Sequence, residues 1–161
     1  MKKYFITMCI ALVGFCAFAQ KGEKSVGLNF SYGTPHSDLG IGIKGQYNFT
    51  DAIRGELSGD YFLGDDMLNM WDININAHYL FNVAEKIKVY PLVGVTYTNW
   101  NVDFDFWGES YSESTGRFGA NLGGGVQYDI NDIFAVDFEA KYQLIGDWNQ
   151  LVFGIGAVYK F

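Results

Sequence analysis

Gln150-Leu-Val-Phe-Gly-Ile-Gly-Ala-Val-Tyr-Lys-Phe161 reads as a single β-strand. Leu151, Phe153, Ile155, Ala157, Tyr159 and Phe161 alternate with smaller or more polar residues, and successive side chains in a strand point to opposite faces. One face is therefore apolar from end to end. About ten residues suffice for a tilted strand to cross a bilayer. In lipid such strands persist only in a closed barrel, because an open edge leaves backbone N–H and C=O groups unpaired. The segment predicts one transmembrane strand of a barrel.

Working back from it, the same period-2 pattern recurs until eight strands are predicted, over 25–33, 39–49, 53–63, 70–81, 87–98, 116–128, 133–144 and 150–161. An even count lets an up-and-down barrel close with both chain ends on one side. The connections carry a second signal. Thr50-Asp51, 82–86 and 129–132 are short and polar, whereas 34–38, 64–69, 99–115 and 145–149 lie at the other end and include the one long loop. Short periplasmic turns opposite longer outer loops fit an outer-membrane barrel. Pro91 falls on the outward parity of the fifth strand, where its missing amide predicts a bulge or an unpaired backbone site.

Alternation alone leaves inside and outside open, and a soluble lipocalin-like carrier would turn the aliphatic stripe inward. Aromatic placement favours lipid. Tyr47, Phe49, Tyr79, Phe81, Tyr128, Phe134, Tyr159 and Phe161 gather at the short-turn end, and Tyr32, Tyr61, Trp71, Tyr97 and Tyr142 at the loop end. Two such girdles bracket a lipid-facing band, since Tyr and Trp rings favour the membrane interface.

Residues 1–19 carry Lys2 and Lys3, an apolar stretch, then Ala17-Phe18-Ala19, the pattern of a cleaved signal peptide. The exported barrel domain is expected to span 20–161. Cys9 and Cys16 both lie in the leader, so a disulfide, a thiolate nucleophile and a cysteine-ligated metal are excluded from the exported chain. Without Lys2 and Lys3, eleven basic residues fall to nine against eighteen acidic ones, a net charge of −9. That sign disfavours nucleic acid as a partner.

Gly119-Ala-Asn-Leu-Gly-Gly-Gly-Val-Gln-Tyr-Asp-Ile-Asn-Asp132, Phe138-Glu-Ala-Lys-Tyr142 and the terminal Val158-Tyr-Lys-Phe161 resemble the small eight-stranded outer-membrane barrel family, the OmpA/OmpX-like and opacity-type group. The resemblance covers the whole exported chain. It implies an all-β, eight-stranded antiparallel up-and-down transmembrane β-barrel in the bacterial outer membrane. It also implies that Tyr159 and Phe161 form part of the signal read by the barrel assembly machinery. Family members are variously structural, adhesive or unassigned, so the resemblance specifies architecture rather than activity.

The inward stripe is expected to carry Arg54, Glu56, Asp60, Asp72, His78, Lys88, Arg117, Asp137, Glu139 and Lys141. A simple hairpin around 64–69 would set Glu56 opposite His78. A carboxylate beside an imidazole invites a catalytic reading, but an eight-stranded barrel is just wide enough for its own side chains, and enclosed charges must be partnered. Structural ion pairing is the expectation, with no open diffusion pore. A lipid A deacylase-like or palmitoyltransferase-like enzyme is the alternative. It would need a serine beside its histidine at the outer surface, yet the matching spacing reads His78-Tyr79-Leu80. His36, Ser37 and Asp38 are adjacent on one short loop, and three consecutive residues cannot hold a triad geometry.

In the longest loop, Asp103-x-Asp105-x-x-Gly108 matches the start of a calcium loop. Trp107 replaces the third ligand and Ser114 stands in place of the bidentate Glu, so no metal is expected. Val102, Phe104 and Phe106 alternate with the acids, which predicts that the fifth strand runs on as an amphipathic ribbon. Trp100, Asp103, Phe104, Asp105, Phe106 and Trp107 are the candidate contacts for an extracellular protein or surface ligand, since a free β-edge can recruit another chain. Asn48-Phe-Thr50 matches a glycosylation acceptor by chance, and Gly123-Gly-Gly125 lies inside a strand with no following helix, so close packing explains it better than phosphate binding. A monomer in outer-membrane lipid, without enzymatic activity or cofactor, is the expectation.

Overall fold

The computed structural model describes residues 21–34, 38–63, 68–106 and 109–161, with backbone only at 38, 68–69, 101–106 and 109–114. The leader 1–19, His36 and Trp107 lie outside the described residues. The strands are β1 (Lys24–Gly33), β2 (Asp38–Asn48), β3 (Ile53–Leu63), β4 (Leu68–Tyr79), β5 (Phe81–Ala84), β6 (Ile87–Phe106), β7 (Glu109–Asp129), β8 (Phe134–Leu144) and β9 (Gln150–Lys160).

All pairings are antiparallel, in the order β4-β3-β2-β1-β9-β8-β7-β6-β5, and a further β4–β6 pairing closes the sheet on itself. Both β4 and β5 pair with β6 in one continuing register: Ala77 faces Val93 and Phe81 faces Val89. They are two segments of one stave, so the barrel has eight staves. The seam joins the first strand to the last, from Ser25 opposite Lys160 to Gly33 opposite Val152.

The interruption at Leu80 has a local cause. The β4–β6 ladder runs to His78 opposite Leu92 and resumes at Phe81 opposite Val89. Pro91 lies across the gap, and proline has no amide to give to a ladder. On its other side Leu80 donates its amide to Ala52 O at 2.7 Å, the next rung of the β3–β4 register, so only the β6 side is interrupted. The expected unpaired site is therefore present, while the register shift appears further on, between Asn82 and Ala84.

Turn chemistry closes the short end. Thr50 Oγ1 accepts from the amides of Ala52 and Ile53 at 3.2 and 2.9 Å, and Asn131 Oδ1 accepts from Ile133 and Phe134 at 3.0 and 2.7 Å. These side chains imitate a backbone turn. At the other end Gly146 adopts φ +67°, a conformation open to glycine at little steric cost.

Burial decides which face is inside. Ile43, Leu57 and Ile75 are 68%, 57% and 60% exposed, whereas Arg54, Glu56, Ser58, Asp60, Asn74 and Asn76 on the opposite parity are buried. This is the reverse of a soluble calyx. In water each large apolar side chain of that outer stripe would forgo on the order of 1.5–3 kcal/mol of burial; in lipid the stripe is matched. The girdles are visible as ring contacts. Tyr47–Phe49, Tyr79–Phe81 and Phe134–Tyr159 lie 5.0, 4.8 and 5.3 Å apart at the short-turn end, and Trp71–Tyr97–Phe118 runs across three staves at the loop end.

Residues 99–106 and 109–115, placed in an outer connection by their polar composition, are strand, as the alternation of Val102, Phe104 and Phe106 predicts. β6 and β7 stay in register through Phe106 opposite Glu109, so the alternation of Val102, Phe104 and Phe106 marks a hairpin ribbon continuing past the barrel wall. β8 accompanies β7 only as far as Leu144 opposite Ala120.

Candidate functional site: the lumen network and the outer ribbon

Even positions of β2, β3 and β4 and odd positions of β7 and β8 point inward, and their polar side chains form a layered network along the barrel axis. At the short-turn mouth Asp129 bridges Lys88 at 2.6 Å and Lys160 at 3.2 Å, and accepts from Gln127 at 2.7 Å. Above it Arg54 donates to Gln127 Oε1 at 2.5 Å and to His78 Nδ1, with its guanidinium 4.8 Å from the centre of the Tyr90 ring. His78 stacks on Tyr90 at 4.6 Å.

Glu56 accepts from Gln46 at 2.8 Å and Asn76 at 3.2 Å, and Tyr90 Oη donates to Glu139 at 3.2 Å. Lys44 pairs with Asp137 at 2.5 Å. Asp60 accepts from Asn29 and Ser31, both at 2.9 Å, with Lys141 Nζ 3.9 Å away. Towards the outer end Asp72, Asn74, Asn121 and Gln143 interlock through amide hydrogen bonds, and Gln150 joins them through Gln143. Phe62, Met70 and Val152, with half-buried Trp100 packed on them, finish the column with an apolar layer. Trp100 meets Trp148 at 5.8 Å at the rim.

Enclosing so many charges is tolerable only when they are partnered. Among the described residues the buried cations Lys44, Arg54, Lys88, Lys141 and Lys160 are matched in number by Glu56, Asp60, Asp72, Asp137 and Glu139. Gly125, the last of the three glycines, has its reason here too. A Cβ at Gly125 would stand 2.5 Å from Tyr90 Cζ and 2.8 Å from Phe138 O, so the bare backbone makes room for the Tyr90 ring.

Of the residues singled out from sequence, Arg54, Glu56, Asp60, His78, Asp137, Glu139 and Lys141 are brought together in the lumen. The pairing of Glu56 with His78 across the hairpin is corrected. Arg54 faces His78 and Glu56 faces Asn76, a β3–β4 register in which facing residues sum to 132 rather than the 134 that pairing Glu56 with His78 requires. Parity survives that shift, so both side chains still point inward, and Glu56 Oε1 reaches within 3.8 Å of His78 Nε2 on the diagonal. Arg117 is placed elsewhere, half-buried at the outer end opposite Thr98 and near Gly146. Tyr159 and Phe161 stack at 6.2 Å on the outer face of the seam, where Phe161 and Lys24 exchange backbone hydrogen bonds.

Trp100 lies at the mouth, and Asp103, Phe104, Asp105 and Phe106 fall on the ribbon backbone. Lys44, Tyr90, Gln127 and Lys160 were not singled out from sequence. The available signal was parity: each sits on the inward phase of its strand between outward neighbours. On the outside, an apolar groove of about 860 Å³ is lined by Val26, Leu28, Ile43, Leu57 and Ile73, all on the lipid-facing stripe.

A closed eight-stave barrel with an apolar exterior and a polar, packed interior is a small outer-membrane protein. The chain belongs to the outer membrane protein β-barrel domain family, which matches residues 6–161. Outer membrane protein X of Escherichia coli K12 is 25% identical over 144 residues, covering 86% of this chain and 76% of that protein. Among solved structures, Neisserial surface protein A superposes with a TM-score of 0.71 at 16% identity, covering 90% of this chain and 100% of that one. The N-terminal β-barrel of Pseudomonas aeruginosa OprF gives 0.69 at 16% identity, covering 89% and 100%. The attachment invasion locus protein Ail of Yersinia pestis gives 0.64 at 21% identity, covering 88% and 99%. At these identities the structural likenesses speak to the fold.

Proposed function

We propose that this barrel serves as a non-enzymatic surface-interaction protein, holding the β6–β7 ribbon outside the membrane as a docking strand pair. The observation that carries this reading is the flank of β7 that has no strand partner among the described residues: from Glu109 to Gly119 the strand is bonded to β6 on one side, and its other neighbour, β8, begins pairing only at Ala120. An exposed edge offers backbone donors and acceptors to an incoming strand. Likeness to an attachment protein of Yersinia pestis supports the same direction. A related Ail structure holds a heparin analogue, but the acidic ribbon here, with Asp103, Asp105, Glu109 and Glu113, favours a protein strand or cationic surface over a polyanion.

Two further readings belong to this proposal. The lumen side chains are buried and interlocked, which supports a structural core rather than a diffusion pore. His78 is 1% exposed inside that core, out of reach of a lipid at the outer surface, which supports a non-enzymatic role. Export by a cleaved leader, delivery to the barrel assembly machinery through Tyr159 and Phe161, and a monomeric state complete the picture. The test is attachment of cells displaying the chain to a protein-coated surface, compared with cells in which residues 101–114 are replaced by Asn-Gly. Loss of attachment at equal barrel levels is expected. Equal attachment by the two would refute the ribbon as the contact element.

A further inference from the structure

Glu56, His78 and Glu139 present one ligand atom each to a common space, all within 4.8 Å of one another. Two carboxylates and an imidazole have the composition of a transition-metal site. Arg54 argues for a different occupant. Its Nε and Nη2 approach His78 Nδ1 at 3.1 and 3.0 Å, and a guanidinium offers donors only. Nδ1 must accept, so the proton of the neutral ring sits on Nε2. A metal requires the lone pair of that same nitrogen.

The Nε2–H group is itself unmet. It lies 3.8 Å from Glu56 Oε1, beyond hydrogen-bond reach, and has no hydrogen-bond partner among the described residues although His78 is buried. A buried donor without an acceptor is costly, and native structures satisfy such groups with ordered water when side chains do not reach.

We propose that His78, Glu56 and Glu139 hold one fixed water molecule at the centre of the lumen, and that Arg54 selects water over a metal ion there by fixing the imidazole tautomer. Three atoms no more than 4.8 Å apart enclose a point within about 2.8 Å of each, which is hydrogen-bond distance. The water accepts from Nε2–H and donates to both carboxylates, three bonds in all, as is usual for a buried water. Capacity for them remains. Glu56 takes Gln46 and Asn76, and Glu139 takes Tyr90, while a carboxylate has about four acceptor sites. Glu56 stands on β3, His78 on β4 and Glu139 on β8, so the water ties opposite walls of the barrel together.

Long-range 1H–15N correlation of the histidine rings, on the full barrel in detergent micelles, tests this, with His36→Gln identifying the signals of the other histidine. The expected spectrum shows His78 as the Nε2–H tautomer, with cross-relaxation between that proton and a bound water, and no shift on adding equimolar zinc chloride. An Nδ1–H tautomer, a doubly protonated ring, an Nε2 proton without water contact, or stoichiometric zinc binding that shifts His78 would each overturn the proposal.

Discussion

Lys44 and Asp137 meet at 2.5 Å with both side chains out of contact with solvent, and each is tolerable inside the barrel only because of the other. Lys44→Met would leave Asp137 buried and unpaired. The expected loss is about 3–5 kcal/mol of unfolding free energy, read by urea titration in micelles, with Lys44→Met/Asp137→Leu recovering most of it. Gly125→Val would press a side chain into the Tyr90 ring and should lower stability by about 1–3 kcal/mol in the same assay. At this scale strand parity made the inward direction of Arg54, Glu56 and His78 legible in the sequence. Their partners were not legible. Which residue meets which across a hairpin depends on the register, and a two-residue difference in the sum of facing positions sets Arg54 rather than Glu56 opposite His78.

The eight staves were readable from alternation because each is apolar on one face, and the ladder fault opposite Pro91 followed from one missing amide. The extent of β6 and β7 was harder to read. Beyond the girdle formed by Tyr97 and Phe118 the ribbon leaves the membrane, and acids such as Asp103 and Asp105 resemble a loop in composition while keeping the period of a strand. Such a ribbon adds its own backbone bonds but little to the barrel wall. Replacing residues 103–113 with a two-residue turn should therefore change the unfolding free energy by less than about 1 kcal/mol and leave the unboiled gel mobility shift intact. A collapse of that shift would show that the ribbon is part of the folding core.

For the molecule as a whole, the sorting of residues is set by its two solvents: lipid outside the wall and a packed polar column within it. Ile75 sits midway along its stave and is 60% exposed, so Ile75→Lys should destabilise the barrel by about 2–4 kcal/mol in bilayers, where the same change on a water-facing surface would be nearly neutral. The most direct measurement is circular dichroism of the urea-unfolded chain after dilution into detergent micelles and, in parallel, into plain buffer. β-structure that forms only with micelles, together with a mobility shift on unboiled gels, is the expected result. Stable, monomeric β-structure in plain buffer would contradict it, because Leu28, Ile41, Ile75 and Phe138 would then have to face a cavity rather than lipid.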